Sequence, residues 1–492
     1  MKTACFTIVS NNYLHFAKTM LDSFNASNPN WDCYCVLVDE NTDYAAEIFG
    51  RERIISMAEL NIAELRYFQF KYSILELNTA VKPWAFRKLI DKDYRRIIYL
   101  DPDIYVYNKL SEVSAAFDAG ANIVLTPHLT QPILDNFRPN ELDIRKSGTY
   151  NLGFCAISNS SESIKFIEWW KEKLSNDCVV DLENGIFVDQ SWIDLVPGMY
   201  CGVSILRHEG YNAAYWNVVH REISVGDDGQ YFSNKVPLVF FHFSGFDPFN
   251  PVRFSKHQNR YQLTETGLVE ILCMRYAEKL FENGAKKYSA LKYAYGQFRD
   301  GISIQSSMRK FARNTSKFSE RKPGDPFKSI DWFIEFYFSE PELNSDHFVD
   351  LLEKYITLDR GATIHLSKLQ TVSEVLNKYK IDIEREFGID SSLKLRDAVN
   401  KKITTHNNKS NISARRVVFL YKTILNRLPD ESGYLEYSNK CSSLAGYFKT
   451  WYMLLESAES KEISCMKTRF YLSFPLFNLN PEIINKIGNA YD

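Results

Sequence analysis

RRIIYLDPDIYVYNKL, Arg95 to Leu110, is the stretch on which the fold turns. An apolar run ends in two aspartates separated by one proline, then apolar and aromatic residues resume. In extended chain, residues i and i+2 point to the same side, so Asp101 and Asp103 can converge on one cation. Oxygen ligands suit hard ions such as Mg2+ or Mn2+. Pro102 fixes φ and removes a donor between them. Asp-Pro-Asp is equally good chemistry for a turn at a strand end. From these residues alone both readings stand.

Outward from this stretch the first half alternates. Strands are predicted over residues 4–10 (ACFTIVS), 33–39 (CYCVLVD), 95–100, 121–127 (ANIVLTP), 153–158 (GFCAIS) and 237–243 (PLVFFHF). Amphipathic helices are predicted over residues 13–24 and from AVKPWAFRKLID, with Pro83 where a first helical turn tolerates it. Short apolar strands between helices imply an α/β fold with a mostly parallel sheet covered by helices. In such sheets ligands sit beyond the carboxyl ends of strands, where Asp39 and Asp101 stand. After about residue 261 the pattern is helical throughout. Polar linkers are expected at 311–329 and 399–413. The predicted organisation is therefore an α/β domain over 1–260, a helical connecting region over 261–400 and a helical C-terminal domain over 401–492.

The chain has 492 residues, too many for one compact core, with 45% hydrophobic and 24% charged residues and a net charge of -2. That balance excludes long disorder and gives no basic excess for nucleic acid. Aromatic residues make up 14%, enough for sugar-binding faces as well as a core. Nine cysteines without zinc-site spacing fit a reducing cytoplasm. No run has the length of a signal peptide or a membrane span, so any membrane contact is expected to be peripheral. The apolar tail TRFYLSFPLFNL, residues 468–479, could serve as core, dimer contact or interfacial anchor.

Four segments in order extend the picture: the block KYSILELNTAVKPWAFRKLIDKDYRRIIYLDPDIYVY, then TYNLGFCAIS, FVDQSWID and FFHFSGFDPFN. Together they resemble the GT-A nucleotide-sugar glycosyltransferases, family 8 and its relatives, over residues 1–250. The resemblance implies a Rossmann-like domain with a mixed, mostly parallel sheet, and a metal site of Asp101, Asp103 and His242 for Mn2+ or Mg2+. It assigns Asp189 and Gln190 to the anomeric carbon and Asn151 and Gly153 to the sugar pocket. Thr7, Asn12, Tyr13 and Asp39 would cup the nucleotide, and Gly245 would let backbone approach the diphosphate. The family's Lys-Pro-Trp is replaced here by Phe246, Asp247 and Pro248, so Lys82 is the candidate for the missing cation. The implied partners are a nucleotide-sugar donor, UDP-linked by preference, and a glycan or lipid-linked acceptor, at the inner face of a bacterial membrane. A homo-oligomer is compatible with this reading. A silent scaffold of the same fold is the rival, and a nucleotidyltransferase lacks its Gly-rich loop. Residues 414–460 resemble the bacterial helical module known as domain-of-unknown-function family 4214, with Tyr434 or Tyr437 where that module has Trp.

Overall fold

The computed structural model describes residues 2–301, 303–304, 306–314 and 324–329, with six scattered positions between 420 and 450. One compact unit holds residues 2–297 with the described part of 312–325. Its centre is a seven-stranded sheet. The strands β1 (Thr3–Val9), β2 (Asp32–Leu37), β3 (Ile54–Ser56), β4 (Arg96–Leu100), β6 (Ile123–Pro127), β7 (Tyr150–Ser158) and a last short strand, Val203–Ile205, run in the order Val203–Ile205, β6, β7, β4, β1, β2, β3. β7 pairs antiparallel with both neighbours, and all other pairs are parallel. This is the expected α/β class with a mixed, mostly parallel sheet.

β1 has every residue buried, because helices cover both faces. Cys5 and Val9 on one face pack with Leu14, Met20 and Phe24 of the helix Leu14–Ser27. On the other face Phe6 meets Phe86 edge-on at 4.9 Å, from the helix Lys82–Asp91. That helix has proline in its first turn, as predicted.

A second sheet of three short strands stands beside the first. β5 (Ile104–Val106) pairs antiparallel with Phe240–His242, which pairs parallel with Ala213–Ala214. Here the structure departs from the sequence expectation. PLVFFHF is two separate strands, Val236–Pro237 and Phe240–His242, and neither joins the large sheet. The compact unit also continues past the expected boundary at 260. The helix Leu268–Glu282 buries Leu272 and Tyr276 against the small sheet, with Tyr276 stacked on Phe243 at 4.0 Å. The polar stretch expected as a linker from 311 begins inside a helix, Ser306–Asn314. The helices predicted beyond residue 329, the linker at 399–413, the 414–460 module apart from the scattered positions, and the apolar tail lie outside the described residues. No described helix is long and apolar enough to cross a membrane.

Candidate active site

Asp101-Pro102-Asp103 is the turn by which the chain leaves one sheet and enters the other. Each aspartate is pinned by a different sheet. The Asp101 N–H donates to Gly153 O at 2.8 Å, prolonging the β4–β7 ladder. The Asp103 carbonyl accepts from Phe243 N at 2.9 Å, prolonging the ladder of the small sheet. The register of that ladder sets His242 opposite Ile104, and so beside Asp103. His242 Nε2 lies 2.9 Å from Asp103 Oδ1 and 3.7 Å from Asp101 Oδ2. One ligand atom from each of the three residues falls within 4.8 Å of the others. About a quarter of each aspartate side chain remains open to solvent, while the imidazole is buried. The turn reading of Asp-Pro-Asp is observed, and the same turn brings three groups together that could hold a metal ion.

The far side of the imidazole fixes its tautomer. Asn212 sits at φ 53, fully buried, and its Nδ2 donates to Thr126 Oγ1 at 2.9 Å and to Asn151 Oδ1 at 3.0 Å. With both donors engaged, Asn212 Oδ1 must accept from His242 Nδ1 at 3.2 Å. Nε2 is thereby turned toward the two acids. This is the outer-shell arrangement that orients a ligating histidine. Trp216 stands perpendicular to the ring at 5.2 Å. Gly153 leaves room for it: a Cβ there would lie 2.3 Å from His242 Cε1.

The charges respond to one another. Burial works against a charged His242, but the adjacent Asp103 carboxylate, with Asp101 behind it, holds its pKa above the ordinary value. Burial also works against ionised Asp103, and His242 overrides it, leaving the carboxyl below the usual range. Asp101 is pushed up by burial, with Lys82 opposing. Tyr99 donates its hydroxyl to Asp101.

Lys82 is not a cation reaching into solvent. It is buried and ion-paired, Nζ to Asp189 Oδ2 at 2.7 Å, and it donates to Leu152 O at 2.9 Å. Burial disfavours its charge, but Asp189 and Asp101 outweigh that and raise its pKa. Asp189 follows Val188, a β-branched residue held at φ 43. Gln190 Oε1 accepts from Leu152 N at 3.0 Å and from Asn151 Nδ2 at 3.4 Å. Asn151 in turn meets His128 Nε2 at 3.1 Å. Asp189, Gln190, Asn151, Gly153 and Lys82 therefore form one layer behind the acids.

The nucleotide residues are more scattered. Tyr13 exposes its ring, stacks on Phe16 at 4.8 Å, and has its pKa raised by burial and then by Asp103 and Asp247, which places it near the acid cluster. Asn12 is half-buried and accepts from Ser10 Oγ. Thr7 lies inside β1 on the Cys5–Val9 face, fully buried. Asp39 accepts from the backbone N–H groups of Asn11, Glu40 and Ala294 at 3.2, 2.9 and 3.2 Å, so it ties loops together. Gly245 has φ 73, and a Cβ there would be 2.5 Å from His257 Cδ2. His257, Asn212 and His128 were not anticipated. For Asn212 a signal existed, since an asparagine after Gly210-Tyr211 suits a left-handed turn. His128 and His257 had none. Both line an open pocket of about 920 Å³ with Arg138, Lys146, Tyr215 and Lys256.

No family model matches the chain. Two Bacillus subtilis (strain 168) proteins, the uncharacterized YfnD and YfnF, are each 22% identical to it. The first aligns over 60% of this chain and 93% of its own, the second over 50% and 82%. Similar solved structures include the galactosyltransferase LgtC in complex with donor and acceptor sugar analogues (14% identity, 59% of this chain and 97% of that one, TM-score 0.34). Others are mouse xyloside xylosyltransferase 1 (15%, 49% and 97%, 0.34) and the glycosyltransferase GlyE of Streptococcus pneumoniae TIGR4 (17%, 61% and 68%, 0.33).

Proposed function

We propose that the chain is a metal-dependent glycosyltransferase of the GT-A kind. It moves a sugar from a nucleotide-sugar donor, UDP-linked by preference, to a glycan or lipid-linked acceptor, with retention at the anomeric carbon. The observation that carries this reading is the convergence of Asp101, Asp103 and His242 from two sheets. Two carboxylate oxygens and one imidazole nitrogen, with the other ring nitrogen engaged by Asn212, fit a Mn2+ or Mg2+ ion. When bound, such an ion supplies Lewis-acid stabilisation of the departing diphosphate.

The remaining work falls to the chain itself. The exposed ring of Tyr13 offers a stacking face for a base near the acids. Gly245 and the flanking His257 present backbone and an imidazole where phosphate would lie. Asn151 and Gly153 border the sugar, and Gln190 holds the Asn151 side chain and the Leu152 N–H between them. Burial raises the pKa of Asp189 and the paired Lys82 opposes that; as a carboxylate Asp189 provides negative potential for a sugar gaining positive character. Its burial against Lys82 favours that electrostatic role over direct attack on the sugar. Eight described cysteines are free, which suits a reducing compartment such as the cytoplasm.

The test is calorimetric titration of UDP with and without Mn2+, followed by donor hydrolysis across UDP-, GDP- and CMP-sugars and anomer analysis of the product. Mn2+-dependent UDP binding that Asp103→Asn abolishes is expected. Metal-independent or absent binding would leave a silent scaffold, and an inverted product would remove retention.

A further inference from the structure

Two loops outside the sheets, residues 131–140 and 247–261, are fastened to each other. The buried Arg260 donates to Asp135 through Nε at 2.8 Å and Nη2 at 2.9 Å, and to the carbonyl oxygens of Phe137 and Pro139 at 3.3 and 3.1 Å. Asn259 adds two bonds to Arg138, its Oδ1 accepting from Arg138 N at 2.7 Å and its N donating to Arg138 O at 3.2 Å. Arg138, Pro139 and residues 256–259 form one wall of the open pocket.

What these fastened loops display outward is apolar. Leu134 is 91% exposed and Phe137 47%; Leu142, at the start of the following helix Glu141–Ser147, is 65% exposed, and Val252 on the second loop 63%. A single exposed leucine needs no explanation. Four such side chains on one tied structure do. The same segments carry Arg145, Lys146, Arg253 and Lys256, all exposed. Asp135 and Asp143 are paired with Arg260 and Arg138, Glu141 and Asp247 bond backbone N–H groups, and the six basic residues of 131–147 and 247–261 outnumber these four acids. The surplus is local, since the whole chain carries a net charge of -2.

We infer that this face docks on an anionic lipid surface, the apolar tips entering the headgroup region and the four basic residues meeting lipid phosphates. Apolar side chains interleaved with lysine and arginine are what an interfacial site presents. A protein-binding patch would instead be depleted in lysine at its centre. Docking in this pose opens the pocket behind the loops at the membrane surface, where an acceptor carried on lipid would arrive. The inference stands independently of the transfer reading, because docking is measured without donor or acceptor.

The experiment is co-sedimentation of the full chain with phosphatidylcholine vesicles, with and without phosphatidylglycerol. Binding only to the anionic vesicles is expected, weakening as salt rises. The charge variant Arg145→Gln/Lys146→Gln/Arg253→Gln should weaken it about a hundredfold, at about fivefold for each basic residue near the surface. The apolar variant Leu134→Ser/Phe137→Ser/Leu142→Ser should weaken it at least about tenfold. Unchanged melting temperatures would show that both variants fold. Equal binding to neutral vesicles, no binding at all, or binding that neither variant reduces would overturn the inference. So would a dimer abolished by the apolar variant in a protein that ignores vesicles, which would assign the face to a second copy.

Discussion

Gly153→Ala is the smallest change that should dismantle the proposed metal site. The glycine is not required by its backbone angle; it is required by space. A Cβ at that position would sit 2.3 Å from His242 Cε1 and 2.8 Å from both His242 Nδ1 and Asn151 Oδ1, whereas ordinary contact begins at 3.4 Å. The imidazole must therefore retreat by 3.4 - 2.3 = 1.1 Å or more. It cannot retreat freely, since Trp216 stands against it and Asn212 holds Nδ1. The strain should lower stability by about 1–3 kcal/mol, the usual cost of an extra methyl in a packed interior. The displacement breaks the alignment of Nε2 with the acids, and disturbing a ligand's support typically costs about 10–100-fold in metal affinity. The assay is Mn2+ titration by calorimetry beside a urea melt. Gly198→Ala is the control, because a Cβ there meets nothing within 4 Å. A Gly153→Ala protein that folds and binds Mn2+ like the parent would refute the claim that this histidine is a ligand.

Three further outcomes can be measured. Lys82→Met leaves the Asp189 carboxylate buried without its partner, so the urea midpoint should fall by the equivalent of about 3–5 kcal/mol; a change under about 1 kcal/mol would mean that the pair is not the structural element described. Burial pushes His15 and His128 down to about 4, so the folded chain stays neutral there while the unfolded chain takes up protons below its ordinary value of about 6.5. Their contribution is thus complete above about 6.5 and lost as pH falls toward 4, at most about 3 kcal/mol for each; urea melts across that window should show it, and His15→Phe should flatten the slope. Gly245→Ala combines a positive φ with contact on His257 and Ser255, so it should weaken UDP binding about tenfold or more while leaving Mn2+ affinity within about twofold.

Five of the seven strands of the large sheet were legible as buried apolar runs, as CYCVLVD is before Asp39; the edge strands Ile54–Ser56 and Val203–Ile205 were not, because three residues are too few to show a pattern. The antiparallel course of β7 was not, since a strand buried on both faces reads the same in either direction. The second sheet was missed for a related reason: PLVFFHF is continuously apolar, and nothing in it marks the break between Pro237 and Phe240. The acid pair announced itself by interrupting a hydrophobic segment. His242 could be joined to it only through resemblance, because more than a hundred residues, with several strands and helices, separate the two in sequence. The burial of Lys82 was not legible. A lysine beside a proline at a helix start looks solvated, and only the fold reveals a buried carboxylate aimed at it.

That buried pair also bears on how the site holds charge. Asp101, Asp103 and Asp189 bring three negative charges and Lys82 one positive, so with a neutral imidazole the cluster stands at -3 + 1 = -2. A divalent cation closes this to zero. A proton on His242 beside Asp103 would be a partial substitute, and a metal bound at the same atoms would have to displace it. Removing Lys82 and Asp189 together subtracts one charge of each sign and leaves -2 at the ligands. The double variant Lys82→Met/Asp189→Leu should therefore fold better than Lys82→Met alone and keep Mn2+ affinity within a few-fold. Its turnover should nevertheless fall by about a hundredfold or more, because the fixed potential behind the sugar is gone. Retained turnover would show Asp189 to be structural only. Lost Mn2+ affinity in a folded double variant would show that the pair supports the ligands rather than the reacting sugar.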